Sequence, residues 1–150
     1  MKQKFLNILL VNILIFFSLI SIHEIGHVIA SSFLGCQLGK AILIDGNFIG
    51  PYAEVACSGQ INQFLLFVSS FLITSSFGVL FLFLKSPQRN MFFVVLGLSL
   101  IFSSLDFLII TGMSSVMYTF LTVGFIFIGI GEYFIASFYI REVSEQSLLY

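Results

Sequence analysis

The sequence predicts an all-α membrane protein: a four-helix transmembrane bundle with a short β-hairpin-like surface loop after the first span. Three observations carry this expectation. Of 150 residues, 59% are hydrophobic and only 9% charged, far less polar surface than a soluble domain requires. The mean hydropathy is +1.12. Four apolar stretches, separated by readable turns, each approach or exceed the ~20 residues that a hydrocarbon core demands. The net charge of -1, with no basic patch or aromatic RNA-binding motif, gives no reason to expect nucleic acid.

The first span covers residues 5–34, about 45 Å as an ideal helix. That exceeds a ~30 Å core, so the helix must tilt, protrude or break. Met1-Lys2-Gln3-Lys4 before it resembles the start of a secretory signal. The apolar run continues without a small-residue cleavage site, which argues against a removable signal. Residues 35–58 follow as a loop, with turn residues at Asp45-Gly46-Asn47 and Gly50-Pro51 between the apolar runs 41–44 and 52–56. This pattern reads as a β-hairpin or extended segment at the membrane surface. The second span is 61–84, the third 91–110 and the fourth 116–140. Lys85-Ser86-Pro87-Gln88-Arg89-Asn90 and Thr111-Gly112-Met113-Ser114-Ser115 are the turns between them, the first stopped by its proline. There is no internal repeat, and the chain reads as a single domain over 1–150.

Lys2, Lys4, Lys85, Arg89 and Arg141 fall on one side of this path and only Lys40 on the other. The positive-inside bias therefore expects both termini in the cytoplasm. Cys36 and Cys57 flank the long loop and could form a disulfide in an oxidising compartment. The frequency of cysteine among buried residues favours a reduced, buried pair instead.

The apolar first span ends on His23-Glu24-Ile25-Gly26-His27. On a helix, residues four apart share one face, so both imidazoles can reach one metal ion. This is the H-E-x-x-H arrangement, in which two histidines bind zinc and the intervening glutamate takes a proton from water. Ionisable groups at membrane depth are costly and usually functional. A third protein ligand would leave one zinc position open for water. Asp106 and Glu132 are the acidic candidates within spans. Asp106 lies near the loop side of the third span, at most ~8 Å in, whereas Glu132 lies ~27 Å from that side. Asp106 is therefore the expected third ligand, the alternative being a structural pairing with Ser103, Ser104 or Thr111. Glu132 is expected near the far interface, beside Tyr133 and on the side of Arg141. The amide-rich start of the second span offers Asn62 and Gln63, either as donors to an oxyanion or as interfacial caps.

With these residues, the chain resembles a small, divergent member of the site-2 protease family of intramembrane zinc metalloproteases. His23-Glu24-Ile25-Gly26-His27 with Val28-Ile29-Ala30 and Gly35 matches the family's first signature, and a surface hairpin then follows in the same order. The three-span family core corresponds to about residues 5–110. Where the family has Gly-Pro followed by Asn in the second span, this chain has Gly59-Gln60 with Asn62 and Gln63. Where the family has Asp-Gly near Asn-Pro in the third, it has Leu105-Asp106-Phe107. The resemblance implies a cytoplasmic hairpin side, opposite to the charge count.

The expected function is that of an intramembrane zinc metalloendopeptidase in the cell membrane, cleaving a membrane-spanning protein substrate. Glu24 is the expected base and then acid toward the leaving amine. The substrate must unwind before attack, and the hairpin edge could hold it by strand addition. Two other readings stand beside this one. A catalytically inactive relative would act as a membrane-protein scaffold, which the altered second and third signatures favour and the intact Glu24 opposes. A protease with the motif outside the bilayer would need a sizeable soluble region, which the sequence lacks.

Overall fold

The computed structural model describes residues 2–42, 52–57 and 63–147. Four α-helices carry the chain: α1 (Lys2–Phe33), α2 (Gln63–Val79), α3 (Met91–Thr111) and α4 (Ser114–Ser147). Two strands, β1 (Gln37–Ile42) and β2 (Tyr52–Ala56), form an antiparallel hairpin between α1 and α2. The segments Leu6–Phe33, Phe64–Phe83, Gln88–Leu108 and Ser114–Arg141 are each long and apolar enough to cross a membrane. Helix is the conformation such segments need, because it satisfies every backbone group within the segment itself.

The long first span does not break. α1 is one helix of 32 residues, about 48 Å long. It stops at Gly35, whose φ of 79° is left-handed, while the Cys36 N–H returns to the Ser31 carbonyl at 3.0 Å. α3 stops in a similar way at Gly112, with φ 63° and its N–H bonded to the Leu108 carbonyl at 2.8 Å. Glycine tolerates this conformation without a Cβ penalty, which is why both turns were legible. α4 runs past the expected end at 140 to Ser147.

The hairpin is placed earlier than expected. β1 begins at Gln37 and pairs Lys40 with Glu54 and Ile42 with Tyr52, with a register shift between Gln37 and Lys40. Residues 41 and 42 of the run 41–44 are strand, and residues 43–51 lie outside the described residues. Pairing of Gln37 with Ala56 sets Cys36 and Cys57 side by side. They are disulfide-bonded, with Cα atoms 4.3 Å apart, and both are partly exposed. The expected reduced, buried pair is thus corrected.

Ile15, Leu19, Met91, Val94, Val95 and Ile135 form the buried core, drawn from α1, α3 and α4. Many large apolar side chains face outward instead, among them Leu14 at 66% and Phe125 at 64% exposure. α3 and α4 approach closely at glycine: a Cβ on Gly97 would lie 2.5 Å from the Gly124 carbonyl oxygen. α1 and α2 meet at Gly26, where a Cβ would stand 3.0 Å from the Ser70 Cα. Small residues at such crossings let backbones pack where lipid supplies no hydrophobic drive. One end of the molecule gathers Asn7 of α1, Pro87 and Gln88 of the turn, and Tyr139 of α4 around a small cavity. The hairpin lies at the other end, packed on α1.

Candidate metal centre

His23 and His27 are both buried on one face of α1. Their rings stand 4.9 Å apart, centroid to centroid, and nearly perpendicular. α3 delivers Asp106 to them. Its Oδ2 lies 2.9 Å from His23 Nε2 and 3.3 Å from His27 Nε2. The three donor atoms all fall within 4.8 Å of one another, a group that could hold a metal ion. Ligand bonds of 2.0–2.2 Å around a tetrahedral ion put donor atoms roughly 3.4 Å apart. Both nitrogen–oxygen distances are close to that spacing. His23 Nδ1 is buried without a hydrogen-bond partner among the described residues. The polar neighbour of that ring is therefore on the Nε2 side, where an ion would sit.

The group opens into a cavity of about 660 Å³. Glu24 lines it beside the histidines, and Ile20, Leu66, Phe102, Leu105 and Leu121 make its walls largely apolar. Tyr52 and Ala53 of β2 close one side. Gly26 belongs to the same construction. Its missing side chain is what allows α2 to pass against the turn of α1 that carries the two histidines.

Asp106 is therefore with the histidines, while Ser104 Oγ donates to the Ile101 carbonyl at 2.6 Å and the Thr111 side chain lies outside the described residues. Ser103 Oγ is buried with no hydrogen-bond partner among the described residues. Glu132 is not at this site. It accepts a hydrogen bond from Asn12 Nδ2 of α1 at 2.7 Å, a partner the sequence did not suggest. Asn12 precedes His23 by eleven positions on α1, about 16 Å along the axis. Asn62 lies outside the described residues, and Gln63 opens α2 with its side chain outside them. Glu54 is taken by Lys40 Nζ at 3.1 Å across the hairpin.

Sequence reasoning missed Asn12 and Leu121, and reached Tyr52 only as part of the hairpin run 52–56. Asn12 was visible as one of two amides, with Asn7, in an apolar span, a signal akin to the one that singled out Asp106. Leu121 carried no comparable signal, since apolar and aromatic residues fill the chain. No protein-family model matches this chain, and no curated protein or solved structure is similar enough to it to count as a match.

Proposed function

We propose that the protein is a multi-pass zinc metalloendopeptidase of the cell membrane, related to the site-2 proteases, which cleaves a membrane-spanning protein substrate. The observation that carries this reading is the convergence of His23, His27 and Asp106, from helices far apart in sequence, at one cavity that Glu24 also lines. Two imidazoles and one carboxylate form a donor set that suits zinc and leaves a coordination position open. Zinc held by these three residues would supply Lewis acidity to the scissile carbonyl and lower the pKa of water. Glu24 accepts the proton of the attacking water and passes it to the leaving amine nitrogen.

The cavity supports a lipid-embedded substrate. Its walls are apolar, and its volume of about 660 Å³ is in the range of small-ligand pockets, roughly 300–1,000 Å³. It suits a few extended residues better than a helix about 10–12 Å across. Tyr52 and Ala53 put β2 at its rim, where an unwound segment could add as a strand.

The test is zinc analysis of the purified protein together with cleavage of a transmembrane reporter, comparing the native chain with Glu24→Gln. The native protein should carry one zinc and cut. Glu24→Gln should keep the zinc and cut at least ~10²-fold more slowly, the scale of losing a positioned acid/base. Full turnover in the variant would remove Glu24 from the mechanism. Zinc without cleavage in the native chain would favour the inactive scaffold.

A further inference from the structure

Two unrelated properties of the molecule assign a side to the hairpin end. The first is chemical. Cys36, just beyond α1, is disulfide-bonded to Cys57, just beyond β2. Such bonds persist in oxidising compartments and are rare where thiols are kept reduced. The second is electrostatic. The far end of the molecule brings together the start of α1, the turn before α3 and the end of α4, and with them Lys2, Lys4, Lys85, Arg89 and Arg141. Arg89 and Arg141 line one groove there. At the hairpin end Lys40 is paired with Glu54. Loops rich in Lys and Arg stay in the cytoplasm.

The metal centre belongs to the hairpin end. His27 and His23 precede the end of α1 by about 9 and 15 Å of helix rise, and Asp106 precedes the end of α3 by about 8 Å. Tyr52 and Ala53, inside the loop closed by the disulfide, form part of the cavity wall.

We propose that the cavity is reached from the extracytoplasmic side, and that its substrate is a membrane-spanning segment cut toward its extracytoplasmic end, with the Cys36–Cys57 bridge holding the hairpin wall in place. The substrate half of this statement rests on the protease reading above. The orientation half does not, and it runs opposite to the cytoplasmic hairpin side that the site-2 protease resemblance implies.

The orientation is read on the native chain in intact cells or spheroplasts. Free thiols are first blocked with a permeant maleimide, then a membrane-impermeant phosphine reductant is added with an impermeant polyethylene-glycol maleimide. Two adducts per chain are expected after reduction and none before it. No adduct in intact cells, with two adducts once the membranes are opened, would place the hairpin in the cytoplasm and overturn the proposal. No adduct in either preparation would mean that the bridge does not form, which overturns it equally. Gln88→Cys and Lys40→Cys, each in a Cys36→Ser/Cys57→Ser background, give a second reading: Lys40→Cys should react in intact cells and Gln88→Cys only after permeabilisation. All of these results should be unchanged by Glu24→Gln, so they stand apart from catalysis. For the substrate, fragments of a transmembrane reporter are sized by mass spectrometry. A cut in the extracytoplasmic half is expected, and one in the cytoplasmic half overturns that part of the proposal. Absence of cleavage with the expected labelling would instead overturn the protease reading, and the substrate half with it.

Discussion

A carboxylate far from water needs either a cation or strong donors, and Asp106 finds two imidazoles at 2.9 and 3.3 Å. Leaving its charge unpaired near a membrane centre would cost about 2.5–3.5 kcal/mol, less toward the interface. On the proposed function, zinc coordination would offset that cost, so Asp106→Ala should lose both metal and cleavage, with metal content read by atomic emission. If zinc remains fully bound, another donor completes the site. Glu132 answers the same problem differently, by accepting from Asn12. Interhelical hydrogen bonds of this kind are worth about 0.6 kcal/mol on average and up to about 1.7. Asn12→Ala should therefore lower thermal stability in detergent by that amount while zinc content stays unchanged. Loss of zinc in Asn12→Ala would tie this pair to the metal site after all.

At the scale of helices, glycine sets how closely α3 and α4 can approach. With Gly97 facing the Gly124 carbonyl at what would be 2.5 Å from a Cβ, any larger residue must push backbone away. Overpacking of this kind typically costs about 1–3 kcal/mol. Gly97→Val should lower the melting temperature in detergent, whereas Gly129→Ala, where a Cβ meets nothing within 4 Å, should not. Equal melting temperatures for the two would show that the helices have slack at this crossing. Because Asp106 rides on α3, Gly97→Val should also weaken zinc retention.

Over the whole molecule, ligands and wall come from different parts of the fold. α1 and α3 hold the donors, while the disulfide-closed hairpin supplies Tyr52 and Ala53. Removing the bridge should therefore separate two properties that Asp106→Ala loses together. Cys36→Ser/Cys57→Ser is expected to bind zinc at the native level and to cleave a transmembrane reporter more slowly, in a side-by-side metal and cleavage assay. Zinc loss on the same scale as the cleavage loss would make the hairpin part of the metal site itself.

The amino-acid sequence by itself determined the four apolar helices, the glycine stops at Gly35 and Gly112, and the shared helical face of His23 and His27. Each of these depends on local physics: hydropathy over a window, the freedom of glycine at positive φ, and the spacing of one helical face. Asp106 was legible only by tracing the path of the spans, because its own neighbours Leu105 and Phe107 form no motif. Other features were decided by the tertiary structure alone. The Cys36–Cys57 bond depends on how β1 and β2 pair, and the burial preference of cysteine pointed the other way. The partner of Glu132 and the parts of Tyr52 and Leu121 in the cavity wall depend on which faces of the helices and hairpin meet. In a chain that is 59% hydrophobic, almost every face is apolar enough to turn inward or toward lipid. Packing at a few glycines and pairing of a few polar groups therefore choose among arrangements that hydrophobic pattern leaves nearly equal.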